Sequence, residues 1–215
     1  MVFATRCLWK AANVQGLKQN VGAGVTKKPI FLMVTSVGNP ELSYGGTRHN
    51  AGHLVLNMTR IPFVDHPRVK GIRFGMDLNK SNMIYIQNNN FMNISGGPIS
   101  KAWDYFTDIK SKTKDWDFKY LVVHDELSLE LGKYKIRSGD ASLRGHNGLK
   151  SIKGSTNKDF LRLGVGIGRP ESRNPHDVAE YVLSPFTRKE KIKLEEQVVP
   201  EVLMTIERIR NGEEV

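Results

Sequence analysis

Four short apolar runs, IFLMVTSV (30–37), NMIYIQ (82–87), KYLVV (119–123) and FLRLGVGI (160–167), constrain this chain more than any other feature. Each is nearly continuous rather than alternating, the pattern of a strand buried on both faces. Helical patterns lie between them: Ala51, Leu54, Val55 and Met58, then Ile99, Ala102, Trp103 and Phe106 behind Pro98 at a first-turn position. Strand alternating with helix predicts an α/β domain over residues 30–215, its sheet covered by helices on both faces. From Thr187 the chain reads Thr-Arg-Lys-Glu, a capping-box spacing, and an apolar stripe continues through Val199, Val202, Leu203, Ile206 and Ile209. Pro200 should split that tail into two helices. Residues 60–82 show no readable period.

No apolar run approaches the ~18 residues of a membrane span, so the chain reads as soluble with no membrane partner. A single cysteine, Cys7, excludes an internal disulfide and a thiolate zinc site and suits a reducing compartment. The net charge of +10 points to an anionic partner. Half of it lies in residues 1–40, which hold Arg6, Lys10, Lys18, Lys27 and Lys28 and no acid. Residues 1–29 therefore read as a basic N-terminal segment with the composition of a mitochondrial transit peptide. The alternative is a plain basic arm, which would leave the protein cytoplasmic.

In an open α/β sheet the loops at the carboxyl ends of the strands share one edge, and ligands bind there. Asn39 follows the first run, Asn93 the second and Asp125 the third, while His49 and Asn50 lie in the turn that opens the first helical pattern. A helix start disfavours imidazolium, so His49 is expected to stay neutral and able to accept a proton. Asp125 on the other ring nitrogen would fix its tautomer. With no partner nucleophile, that pair suggests activated water, positioned by the asparagines. Each of these residues also has an ordinary turn or capping explanation. His49 and His53 have zinc-ligand spacing, but Asn50 stands where the metalloprotease pattern has Glu, so no metal is assigned. No Gly-x-Ser-x-Gly elbow exists, and GVGIG (164–168) reads as buried strand because Arg-Pro follows it. Residues 132–155 carry six Lys/Arg against one Asp, a patch able to neutralise phosphates beside the crevice or a solvated basic face.

VGNPELSYGGTRHNAG, FMNISG, HDELSLELGKYKIRSG, RGHNGLKSI and FLRLGVGIGRP, in this order and spacing, resemble the bacterial-type peptidyl-tRNA hydrolases from about Phe31 to Phe186. The resemblance implies a single domain with a twisted mixed sheet, and an enzyme that cleaves the ester between peptide and tRNA without metal or cofactor. It implies His49 as general base and Asp125 as its orienting carboxylate. Asn39, Asn93 and Asn147 would line the substrate site with Tyr44 and Met92 beside them. Lys135, Arg137 and Lys150 fall where the family places basic residues toward the tRNA acceptor arm, and Arg144 joins them in this chain. A monomer is expected. The chain departs from the family at Asp140-Ala-Ser-Leu-Arg144, usually a glycine-rich run, and at Gly164, where many members carry Arg. Related organellar intron-splicing cofactors that bind RNA as scaffolds are the rival reading.

Overall fold

A computed structural model describes residues 27–214; the expected targeting segment falls on residues that lie, up to residue 26, outside the described ones. In chain order the first half comprises β1 (Ile30–Ser36), α1 (Glu41–Tyr44), α2 (Ala51–Asn57), β2 (Val64–Asp65), β3 (Ile72–Gly75), β4 (Met83–Asn88) and α3 (Gly96–Ser111). The second half comprises β5 (Asp117–Glu126), β6 (Tyr134–Ser138), α4 (Asn147–Lys153), β7 (Leu161–Gly166), α5 (Pro175–Leu183), α6 (Arg188–Lys193) and α7 (Val199–Arg210).

The strands form one seven-stranded sheet in the order β2-β3-β4-β1-β5-β7-β6. β1 takes the centre because it is apolar on both faces: Phe31 and Met33 join one core, Leu32 and Val34 the other, all four with no exposed surface. β4, β1, β5 and β7 run parallel, while β2, β3 and β6 close the edges antiparallel. The sheet is therefore mixed, as the resemblance implied. On the Leu32 face pack Val55 and Leu56 of α2, Val182 of α5 and the apolar stripe of α7. On the Phe31 face pack Ile99, Trp103 and Phe106 of α3 and Leu149 and Ile152 of α4. Fully buried Trp103 donates its indole N–H to Thr35 Oγ1 at 2.8 Å, so the largest core side chain leaves no polar atom unmet.

Three boundaries differ from the sequence reading. β5 runs on to Glu126 because β7 continues beside it, pairing His124 with Gly164, Asp125 with Val165 and Glu126 with Gly166; Asp125 thus sits on a rigid strand and not in the loop after it. β6 lies inside the segment read as a basic patch, its Tyr134 and Ile136 half-buried between charged neighbours. The tail opens with the expected capping box at Thr187, but Pro200 does not break it: one π-helical turn, Leu194–Val198, joins α6 to α7, and Pro200 falls in the first turn of α7. A proline there gives up an N–H that the turn does not need. At the other end, Lys28 pairs with Asp115 and the Pro29 carbonyl accepts from Asp117 N at 2.9 Å, which anchors the residues leading into β1 beside the start of β5.

Candidate active site

β1, β4 and β5 end at one edge of the sheet, where a cavity of about 760 Å³ opens. Asn39, His49, Asn93, Asp125, His146 and Asn147 contribute its polar lining, and Leu143, Val178, Val182 and Leu183 give it an apolar side. Four of the five elements behind the polar residues were expected at this edge from the parallel strand order alone.

Asp125 organises the polar side. Its Oδ1 accepts from His49 Nδ1 at 2.8 Å and from His146 Nε2 at 3.0 Å, and the residue is 3 % exposed. Burial pushes the carboxyl upward, but the two imidazoles outweigh it and hold Asp125 well below the usual carboxylate range. His49 stands in a 3-10 turn, Arg48–Asn50, immediately ahead of α2. Burial lowers its affinity for protons, but the charge and hydrogen bond of Asp125 prevail, and its pKa ends above the ordinary 6.5. The expectation that the helix start would dominate is therefore corrected: a carboxylate in direct contact outweighs the fractional charge of a helix terminus. Because a carboxylate only accepts, His49 carries its proton on Nδ1. Its Nε2 makes no hydrogen bond among the described residues and is not sealed from the cavity.

His146 is differently engaged. Its Nδ1 accepts from Leu149 N at 3.3 Å, capping α4, while Nε2 donates to Asp125. Both ring nitrogens are committed, so His146 buttresses Asp125 and has no lone pair to spare. His49, Asp125 and His146 offer three potential metal ligands within 4.8 Å of one another. Both contacts to Asp125 need an N–H on the facing nitrogen, which is the wrong protonation for a ligand there. His53 does not join the group: it is buried, 2.8 Å from Ser36 Oγ through Nδ1, and its pKa is lowered to about 4 by burial. The His49/His53 zinc spacing thus reflects a cavity-lining residue beside a core residue.

Asn50 explains why an asparagine follows His49. Its Oδ1 accepts from Asn39 N at 2.8 Å and its Nδ2 donates to the Asn39 carbonyl at 3.0 Å, tying the turn after β1 to the turn that carries the histidine. Asn39 Oδ1 in turn accepts from Met92 N at 2.9 Å, which leaves the Asn39 amide N–H₂ as a donor for the cavity. Asn93 and Asn147 line the cavity and are exposed; Met92 lines it and is buried. Gly148 gives Met92 its room, since a Cβ there would collide with the Met92 sulfur. Tyr44 is not part of the lining: its ring meets Phe91 edge-on at 6.2 Å, one residue from Met92.

Of the expected basic residues, Lys135, Arg144 and Lys150 are exposed, and Arg144 borders the cavity. Arg137 is instead half-buried, with its guanidinium 3.0 Å from Glu126 Oε2. Arg169, not singled out from the sequence, also lines the cavity. Gly164 leaves space that Glu126 fills, since a Cβ would lie 2.9 Å from Glu126 Cβ. The sequence reading also missed His146, although it stands in Gly-His-Asn-Gly directly before a helix, the same context that drew attention to His49.

Fold and crevice define a single-domain α/β protein with a histidine–carboxylate pair at the carboxyl edge of its mixed sheet. A profile of the family described as peptidyl-tRNA hydrolase matches residues 33–214. The chain is 36% identical over 168 residues to the probable peptidyl-tRNA hydrolase of Schizosaccharomyces pombe, covering 77% of each, and 33% identical over 174 residues to the peptidyl-tRNA hydrolase of Saccharomyces cerevisiae, covering 74% of this chain and 86% of the relative. The crystal structure of peptidyl-tRNA hydrolase from Acinetobacter baumannii superposes with a TM-score of 0.69 at 26% identity, over 88% of this chain and 92% of that one. The chain belongs to the peptidyl-tRNA hydrolase family. Among the described residues no helix is long and apolar enough to cross a membrane.

Proposed function

We propose that the chain hydrolyses the ester of peptidyl-tRNA with water activated by His49, acting as a monomer in mitochondria. His49 Nε2 takes a proton from water, and the hydroxide attacks the ester carbonyl carbon. The Asn39 amide N–H₂, with Asn93 and Asn147, positions the water and bonds the developing oxyanion. Collapse of the tetrahedral intermediate breaks the bond to the ribose oxygen, which takes the proton back from His49 and leaves as tRNA, while the peptide leaves as its carboxylate. Asp125 holds the tautomer and stabilises the transient imidazolium. The observation that carries this reading is the 2.8 Å bond from His49 Nδ1 to buried Asp125, with Nε2 unengaged at the cavity. Asp125 raises the proton affinity of His49 against the effect of burial, which strengthens the imidazole as a base.

Lys135, Arg144 and Lys150 are assigned to tRNA phosphates; Arg137, neutralised by Glu126, contributes less. The apolar side of the cavity suits the peptide. The mitochondrial assignment rests on the acid-free basic segment ahead of the fold. The decisive experiment is turnover of N-acetyl-aminoacyl-tRNA: wild type releases tRNA, and His49→Ala loses about 10²- to 10⁴-fold in kcat while still binding tRNA. Full activity of His49→Ala would defeat the assignment, and an inert wild type would favour an RNA-binding scaffold.

A further inference from the structure

Arg48 directly precedes His49 and is only 7 % exposed although it carries a full charge. Its Nη2 donates to both carboxylate oxygens of Glu190, at 2.9 and 2.8 Å. Its Nη1 donates to Ser184 Oγ at 2.6 Å and to the Pro185 carbonyl at 2.9 Å, and its guanidinium lies 4.5 Å from the centre of the Tyr181 ring. The backbone repeats the connection: Arg48 N donates to the Ser184 carbonyl at 3.0 Å, and Thr47 forms an isolated antiparallel bridge with Pro185. Every one of these partners belongs to α5, α6 or the linker between them.

The same α5 supplies Val178, Val182 and Leu183 to the apolar side of the cavity. One guanidinium therefore ties the turn that carries the histidine to the elements that supply the apolar wall of the cavity. A buried ion pair is a poor device for stability, because an apolar pair of similar volume often does as well. What a guanidinium adds is a rigid fork that fixes several acceptors at once. Glu190 is held from a second direction, since its Oε2 also accepts from Thr187 N at 2.7 Å in the capping box of α6.

We propose that Arg48 is a positioning residue that clamps the His49 turn to the α5–α6 linker, setting where the imidazole stands relative to Asp125 and to the cavity wall. The inference rests on His49 being the base. It assigns no direct contact between Arg48 and substrate.

Two variants test it. Arg48→Lys keeps the charge and loses the fork; Arg48→Met combined with Glu190→Gln removes both charges, so neither is stranded. Single-turnover hydrolysis of N-acetyl-aminoacyl-tRNA and the KM for that substrate are measured at a temperature where thermal melting shows each variant folded. Both variants should lose about 10²-fold in kcat with KM unchanged, the scale of a small misplacement at the reacting centre. Placed in the His49→Ala chain, Arg48→Lys should cost nothing further, because its effect passes through the imidazole. Wild-type kcat in both variants, or an equal loss with and without His49, would overturn the proposal. An inactive His49→Ala beside undisturbed Arg48 variants sinks the clamp alone, whereas a fully active His49→Ala sinks the base assignment itself.

Discussion

Replacing Asp125 with Asn keeps the shape of a buried side chain and removes its charge. In the native site Oδ1 accepts from two imidazoles, at 2.8 Å from His49 and 3.0 Å from His146. An amide oxygen can still accept, but an amide turned the other way presents N–H₂ to His49 and selects the wrong tautomer. The larger loss is electrostatic. When His49 takes the proton from water, its positive charge is centred about 4 Å from the carboxylate, and at an effective dielectric near 20 the attraction is about 4 kcal/mol. That corresponds to a fall in kcat of about 10³. KM for tRNA substrate should change little, because Asp125 is 3 % exposed and lies beneath the histidines. The pH profile supplies an independent sign. Asp125 holds His49 above its ordinary pKa against burial, so without it burial prevails and the pKa falls. A base works when unprotonated, so the acid limb of kcat/KM should move to lower pH. Release of labelled N-acetyl-aminoacyl groups from tRNA between pH 5 and 9 measures both. A variant within about threefold of wild type, or an acid limb that moves upward, would refute the reasoning.

Combining Asp125→Asn with His49→Ala should cost less than the sum of the single changes, since both residues serve one proton transfer; additive losses would separate their roles. Neutralising two of Lys135, Arg144 and Lys150 should raise KM for tRNA substrate and flatten the salt dependence by about 0.9 per duplex phosphate or 0.7 per single-strand phosphate in the log-log slope. Arg137→Gln should change that slope less, and an unchanged slope for the first set would place the RNA elsewhere. His53 and His124 are held by burial at pKa values of about 4 and about 3. The unfolded chain binds their protons near pH 6.5, so their contribution is complete above that value and is lost as pH falls toward 4 and 3, about 2 kcal/mol each at pH 5. Melting of wild type and His53→Gln at pH 7 and pH 5 checks this; equal pH sensitivity in the two chains would contradict it. Residues 1–29 should carry a fluorescent reporter into mitochondria, and a chain starting at Lys27, which keeps the Lys28–Asp115 pair, should keep full activity; cytosolic fluorescence throughout would reject the targeting role.

Much of the site was legible because a parallel sheet gathers distant residues by rule. Asn39 and His49 follow the first apolar run, Asn93 the second and Asp125 the third, and a parallel arrangement of those runs brings their carboxyl ends to one edge. Asn147 came from family resemblance, since its own neighbourhood in the sequence is dominated by charge and glycine. Tyr44 came from the same resemblance, but its ring meets Phe91 and does not line the cavity. β6 stayed hidden because an edge strand buries too little apolar surface to produce a clear period, and two-residue β2 is too short to show one.

The sequence by itself determined the layered α/β architecture, the two-sided burial of β1 and the edge at which chemistry would gather, because burial of apolar surface at strand and helix periods is a local property of the chain. Only the tertiary structure decided which charges meet. Asp125 has two imidazole partners, 76 and 21 residues away along the chain; Arg137 is taken by Glu126; and Arg48 reaches Glu190 across 142 residues. Electrostatic and hydrogen-bonding effects depend on distances of a few ångströms between side chains, and those distances exist only once the sheet, its helices and the α5–α6 linker have closed on one another.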